Sequence, residues 1–350
     1  LNLTASVVDR LPELFRAHVA QVPEVAVEKL PGDASNRSYY RLRGGVHSAI
    51  AMVLADADPH KAAEEINKDS NAITELPFTN VLRFMAARGL PVPKMLFDGQ
   101  KEGVLLLEDL GDLTLFEHAK PLDEAAREAI YAQAVDQLIP FQRSGADSAA
   151  DFIGYRRRFD VDLLYWEFHH FLEYGIEKKG IAVAADDKAA LDKTFRALSE
   201  RIASMSEVLV HRDYHSRNLM VCENGKLAII DFQDALMGPA PYDLASLLRD
   251  SYIAVGEGAL DRLVERYRVA AGEAGIGQWS TDEFREWFDL VSVQRNLKAA
   301  GRFDYIDMVK GNPKFLADIP RTLGYVRGNL QKHASLAGLR LLAKYVPALA

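Results

Sequence analysis

The sequence predicts an α+β fold of two lobes, a strand-rich one followed by a mostly helical one. Three observations carry this expectation. Short alternating apolar runs between Gly, Pro and Asp turns crowd the first part of the chain, up to residue 110. Long stretches with helical periodicity dominate from residue 111 onward. A short β island over residues 208–230 interrupts those helices. The expected segments are an N-terminal helix over 1–24, a strand-rich lobe over 25–110 and a helical lobe over 111–350.

Each element has a local reason. Residues 1–22 form an amphipathic helix, its apolar positions broken by Asp9, Arg10, Glu13 and Arg16. Val25 to Leu30, Ser38 to Leu42 and His47 to Leu54 read as a three-strand meander. Its turns are Pro31-Gly32-Asp33 and Gly44-Gly45. Asp58 to Arg88 reads as helical with an interruption at Pro77, and Pro91-Val92-Pro93 ends it. Met95 to Phe97 and Val104 to Leu107 are two further short strands. Helices follow over 122–142, 161–179 and 187–204. Then come short strands at 208–210, 219–222 and 226–230, a helix starting at Tyr242, and helices to the end.

Composition narrows the function. The chain has 350 residues, 49% of them hydrophobic and 26% charged, as in an ordinary globular protein. Lys plus Arg number 42 and Asp plus Glu number 50, a net charge of −8, which argues against a general nucleic-acid binder. Cys222 is the single cysteine, so no intrachain disulfide can form, and no Cys/His cluster has zinc spacing. No apolar run reaches about 18 residues. The first 20 residues lack the continuous apolar core of a secretory signal. A cytoplasmic protein with no membrane partner and no obligate protein partner is expected.

The chemistry concentrates in Val208 to Asp234. Asp213 lies just past an apolar strand, Asn218 follows it, and Asp231 ends the next apolar strand. The Glu223-Asn224-Gly225 turn folds that strand back toward Leu219–Cys222, which brings Asp231 toward Asn218. One such residue alone is what a turn or a helix cap would use. The combination is what phosphoryl transfer needs: Asp213 to accept the acceptor's proton, and Asn218 and Asp231 to ligate Mg²⁺ on the phosphates of ATP.

These residues resemble the protein-kinase-like fold, and within it the aminoglycoside phosphotransferase-like small-molecule kinases. His211, Arg212, Asp213, Asn218 and Asp231 match the catalytic positions, and His215 matches a histidine typical of that loop. Pro241-Tyr242-Asp243-Leu244-Ala245 matches the segment after the metal Asp. Gln233 stands where a protein kinase has Gly after Asp-Phe. Pro239-Ala240-Pro241 follows too soon for a peptide platform, so a small acceptor is expected.

The nucleotide base is expected at Leu106 to Gly111, with Glu108 and Leu110 in contact. Two features depart from protein kinases. The strand Ala49 to Leu54 has no Lys for the phosphates, and the turn Gly32 to Tyr40 lacks the Gly-x-Gly-x-x-Gly pattern. Ser35 and Arg37 are expected to meet the phosphate charge instead.

These departures sharpen the likeness. The chain resembles the bacterial N-acetylmuramate/N-acetylglucosamine kinase family, which phosphorylates the anomeric hydroxyl of amino sugars in cell-wall recycling. The likeness rests on Gly32-Asp33-Ala34-Ser35, Arg37, Tyr39-Tyr40-Arg41, the loop His211 to Leu219 and Asp231-Phe232-Gln233-Asp234-Ala235. Tyr242-Asp243-Leu244, Leu247 to Asp250, Gln294 to Lys298 and Phe315 to Arg321 extend it. Ser38 departs, because the family often has a second Arg there. The resemblance implies a sugar substrate. Such an acceptor wants polar side chains and a cation, and His215, Arg217, Gln233, Asp234 and Arg295 are the candidates. Another small acceptor (aminoglycoside, choline-like or homoserine-like) and a nucleotide-binding protein without turnover remain open alternatives.

Overall fold

The computed structural model describes residues 3–31, 37–54, 75–146 and 151–350. The expected phosphate turn with Ser35, and the expected helical stretch from Asp58 to residue 74, lie outside the described residues. Two compact units result: Leu1–Leu113 with Met220–Gln233, and Thr114–Leu219 with Asp234–Ala350.

The first unit is built on a five-stranded antiparallel sheet. Its strands are β1 (Ala26–Lys29), β2 (Ser38–Gly44), β3 (His47–Val53), β4 (Met95–Gly99) and β5 (Val104–Glu108). Their order is β1-β2-β3-β5-β4. Period-two alternation decides which side chains meet the helix α1 (Leu3–His18). Ala49, Ala51 and Val53 of β3 and Val104 and Leu106 of β5 share a buried cluster with Leu11 and Phe15 of α1. Leu11 and Phe15 are four residues apart, hence on one helix face, and each contributes roughly 1.5–3 kcal/mol by burial. The helix α2 (Pro77–Ala86) begins at Pro77, where the sequence suggested an interruption. Proline suits the first turn of a helix, where its missing N–H has no helical partner.

A small hairpin belongs to this unit. Strands β7 (Leu219–Val221) and β8 (Leu227–Ile229) form a two-stranded sheet. Gly225 closes the turn at φ 73°. The Ile229 N–H donates to the Pro91 carbonyl and the Val221 N–H to the Leu113 carbonyl, each at 2.7 Å.

The second unit is helical. It contains α3 (Leu115–Ala119), α4 (Glu124–Arg143), α5 (Val161–His170), α6 (Ala185–Ala203), α7 (Tyr242–Leu248), α8 (Glu257–Glu273), α9 (Thr281–Lys310) and α10 (Ile319–Lys332). Asp123, Asp160 and Ser280 cap α4, α5 and α9 by accepting N–H groups of the first turns. The end of the chain, 334–350, forms short 3₁₀ turns rather than one helix. Strand β6 (Glu207–Val210) pairs with β9 (Leu236–Pro239), a strand the sequence pattern did not signal.

The 30-residue α9 is the axis of this unit. Its middle carries buried polar groups, including Asp289, Gln294, Arg295 and Asn296. It crosses a π-helical turn, Phe171–Ile176, that continues α5. At the crossing a Cβ on Gly301 would lie 2.7 Å from the Phe171 Cα and 3.1 Å from the His170 carbonyl oxygen. Main chain, not a flexible side chain, fills that space. Gly301→Ala should therefore lower the urea-unfolding free energy by about 1–3 kcal/mol through overpacking, and a variant as stable as wild type would show that the crossing can spread at no cost.

Candidate active site

The loop His211 to Asn218 leaves β6, and the β6–β9 pairing fixes its start by setting Val210 opposite Leu236. The backbone turns left-handed at Arg212, φ 79°, an uncommon conformation for a residue with a Cβ. Asp243, fully buried in the first turn of α7, holds that turn. Its Oδ2 accepts the His211 N–H at 2.6 Å and its Oδ1 accepts the Arg212 N–H at 3.0 Å. Burial pushes the Asp243 carboxyl up to about 7, although these two N–H bonds favour the ionised form. Asp250 holds the far part of the loop. Its Oδ2 accepts the Ser216 N–H at 3.0 Å and the Ser216 hydroxyl at 2.5 Å, and its Oδ1 accepts the Tyr252 N–H at 2.8 Å.

Asp213 sits on this clamped loop with 41% of its side chain exposed. Its carbonyl accepts the His215 N–H and, at 3.0 Å, the side-chain Nδ2 of Asn218. The Lys298 Nζ from α9 lies 3.8 Å from Asp213 Oδ1 and 3.9 Å from Glu167 Oε1. Glu167, fully buried on α5, also faces the Arg212 guanidinium at 3.3 Å and accepts Gln294 Nε2 at 2.8 Å. Partial loss of water around the carboxylate opposes ionisation of Asp213. The charges of Lys298, His215, Arg212 and Arg295 outweigh it and hold the carboxyl well below the usual carboxylate range. Burial lowers the Lys298 ammonium, against the pull of Asp213 and Glu167.

The other candidates of the helical unit gather around this loop to different degrees. His215 meets the Tyr252 ring edge-on at 5.2 Å, its Nδ1 has no hydrogen-bond partner among the described residues, and burial lowers its pKa. Arg217 stacks on aromatic rings and, among the described residues, pairs with no surface carboxylate. Arg295, 5% exposed on α9, has no hydrogen-bond partner among the described residues at Nε and Nη1, while its charge reaches Asp213. Asp234 acts at the loop's base, where its charge offsets the burial of Arg157 and Arg212.

The candidates of the strand-rich unit occupy its own two features. Asp231 follows β8, is exposed, and has a left-handed backbone at φ 61°. Gln233 Nε2 donates to Asp231 Oδ1 at 2.9 Å. Phe232 between them is buried and packs on Phe78 of α2 at 5.0 Å. The Arg37 guanidinium lies 6.0 Å from that same Phe78 ring, so Arg37 shares a neighbour with the Asp231 segment. Glu108 ends β5. Its N–H donates to the Lys94 carbonyl, and its carboxylate accepts the Lys94 N–H. Leu110 rides on the following loop, which Arg41 holds: Nη1 of Arg41 meets both oxygens of Asp112 at 2.7 and 2.8 Å, and Nη2 donates to Asp109 and to the Gly111 carbonyl.

Residues 26–280 match the phosphotransferase enzyme family (APH). The chain belongs to that family. Within it, the chain is 32% identical over 340 residues to the N-acetylmuramate/N-acetylglucosamine kinase of Pseudomonas aeruginosa, covering 96% of this chain and 94% of that protein. It is 31% identical to the enzyme of the same name from Pseudomonas putida, covering 97% and 94%. Solved structures share the fold at low identity. A choline/ethanolamine kinase family protein from Mesorhizobium loti superposes with TM-score 0.59 at 13% identity, covering 99% of each chain. An ADP-bound aminoglycoside phosphotransferase gives 0.55 at 14%, covering 89% of this chain and 96% of that one. The expected kinase-like α+β fold is thereby shown. No helix among the described residues is long and apolar enough to cross a membrane.

Two residues of this phosphotransferase's loop environment went unassigned in the sequence: Glu167 and Lys298. The signal was present in α9, where Gln294 and Lys298 are polar residues four apart on a buried stretch, and both reach Glu167. The clamp residue Asp243 makes a measurable prediction. Asp243→Asn sets an amide NH₂ against one of the two loop N–H groups and should cost about 1–3 kcal/mol. The pH dependence has a definite sign. The Asp243 pKa is raised on folding, from 3.8 to about 7, so its contribution is full below about pH 4 and is lost as pH rises through about 7. The wild type's advantage over Asp243→Asn in urea unfolding should shrink between about pH 5 and about pH 8. An advantage that grows over that range would contradict the assignment.

Proposed function

We infer that this protein is an ATP-dependent kinase that transfers a phosphoryl group to the anomeric hydroxyl of N-acetylmuramate or N-acetylglucosamine, serving amino-sugar recycling in the cytoplasm. The observation that carries the acceptor is similarity along nearly the whole chain to kinases named for those two sugars. The observation that supports the chemistry is a loop carboxylate, Asp213, kept ionised next to a buried ammonium.

In this reading Asp213 orients the acceptor hydroxyl and takes its proton. Lys298 keeps Asp213 ionised, and Glu167 fixes Lys298 and Arg212 in place. The donor set suits a hard cation carried by the nucleotide. The Asn218 amide nitrogen is committed to the Asp213 carbonyl, which presents its Oδ1 as the ligand atom, and Asp231 offers an exposed carboxylate. Both are oxygen donors, and Mg²⁺ takes one or two protein oxygens plus phosphates. Mg²⁺ supplies charge neutralisation at the β- and γ-phosphates when bound. Glu108 and Leu110 would flank the base, on a loop stiffened by the Arg41 ion pairs. Ser35 and Arg37 would meet phosphate oxygens. His215, Arg217, Gln233, Asp234 and Arg295 would surround the sugar.

ADP release in the presence of ATP·Mg²⁺ and separate acceptors tests this. Turnover is expected with N-acetylmuramate and N-acetylglucosamine, with a ³¹P signal of a sugar 1-phosphate. Turnover confined to choline, homoserine or an aminoglycoside would replace the acceptor assignment. ATP binding without ADP release from any acceptor would replace the enzyme by a nucleotide-binding protein. Asp213→Asn should lower kcat by about 100-fold or more with ATP affinity retained, and wild-type turnover in that variant would remove Asp213 from the mechanism. Arg37→Ala should raise the KM for ATP about tenfold, and an unchanged KM would reject a phosphate contact.

A further inference from the structure

Arg217 lies on the reactive loop between His215 and Asn218. Its guanidinium carbon is 3.7 Å from the centre of the Tyr252 ring, 5.0 Å from that of Phe116 and 5.9 Å from that of Phe315. These rings come from three separate places: α3, the segment after α7, and the 3₁₀ turn Pro313–Asp318. The cradle is itself braced. Phe315 stacks on Phe303 of α9 at 5.4 Å, and Arg321, just beyond that turn, donates to the Ser251 carbonyl at 2.7 Å. Arg217 is half-buried, and among the described residues it makes no hydrogen bond and no ion pair.

Stacking occupies the faces of a guanidinium and leaves its N–H fork directed outward along the edge. An arginine held this way is oriented in advance and still has its donors to give. The carboxylate that feels its charge within the protein, Asp318, is paired instead with Arg321 at 3.6 Å. A second cation stands nearby in the same condition. Among the described residues, buried Arg295 lacks hydrogen-bond partners at Nε and Nη1, and the charges of Arg217, Arg295 and Asp213 are all felt at both His215 and Tyr252. Two arginines with donors unused among the described residues, in the surroundings of the candidate catalytic carboxylate, have the chemistry to receive an anion. A planar fork suits a carboxylate in particular, which it can meet with two parallel hydrogen bonds.

We propose that Arg217, cradled by Phe116, Tyr252 and Phe315, is the receptor for a carboxylate on the acceptor sugar and so sets the preference for an acidic amino sugar over its neutral counterpart. The proposal rests on the sugar-kinase reading above. N-acetylmuramate and N-acetylglucosamine are the natural probe pair, because they differ by a lactyl ether that carries one carboxylate.

The test is the ratio of kcat/KM for N-acetylmuramate to that for N-acetylglucosamine, measured by ADP release with wild type, Arg217→Ala and Arg217→Lys. The ratio should fall about tenfold or more in Arg217→Ala, the loss expected for a charged hydrogen-bonded contact. It should recover in part in Arg217→Lys, whose ammonium keeps the charge and loses the fork. An equal loss with both sugars overturns the proposal, because a purely structural clasp would harm both alike. Should Arg217→Ala fail to fold by circular dichroism, Arg217→Lys decides. A lowered ratio supports the proposal, and an unchanged or raised ratio overturns it. A wild type inactive on both sugars overturns the parent reading, and the role of Arg217 falls with it.

Discussion

Two backbone N–H groups pointing at one buried carboxylate hold the loop His211 to Asn218 together. Asp243 accepts both His211 and Arg212, and the left-handed backbone at Arg212 needs such a partner to persist. With that turn set, the Arg212 side chain reaches Glu167, Glu167 gathers Gln294 and Lys298, and Lys298 faces Asp213. The order of dependence runs from a first-turn helix residue to a loop conformation, then to a charge cluster, and last to the ionisation of a single carboxylate. A buried cluster of this kind is costly when incomplete, because a lone charge left in the interior has no water to stabilise it. It tolerates removal of any one member poorly, which favours a single arrangement of the loop.

The departure from protein kinases takes on a physical meaning here. The strand β3 carries Ala49, Ala51 and Val53 toward α1, where a long cation has no room in the packed interior. Arg41 of β2 is spent on Asp109, Asp112 and the Gly111 carbonyl. The strand-rich unit thus uses its buried arginine to shape a loop. Within the helical unit, Lys298 and Arg295 of α9 put positive charge at Asp213.

Much of this was legible in the sequence because it is local. The meander strands follow from two-residue alternation bounded by Gly and Pro turns. The candidates Asp213, Asn218 and Asp231 are singled out by spacing within one short segment. What stayed hidden depends on partners far along the chain. Strand β9, Leu236–Pro239, contains Gly238 and Pro239 and looks like a turn; only pairing with β6 makes it a strand. The role of Lys298 depends on Glu167, more than a hundred residues earlier on another helix. The need for a glycine at 301 depends on Phe171, which comes from a distant segment of the chain. The aromatic cradle of Arg217 stayed hidden because its three rings come from segments that periodicity cannot bring together.

The placement of the β7–β8 hairpin has a consequence for anyone who would cut this protein. The polypeptide passes between its two compact units at residues 113/114, 219/220 and 233/234, so it crosses three times. No single scission separates them. A recombinant fragment ending at Leu113 would lose Phe232 from the face of Phe78 and leave the carbonyls of Pro91 and Leu113 without their hairpin donors. Split-protein complementation of the strand-rich unit would require that fragment to be supplied with the 220–233 segment as a separate peptide or grafted onto its own C-terminus.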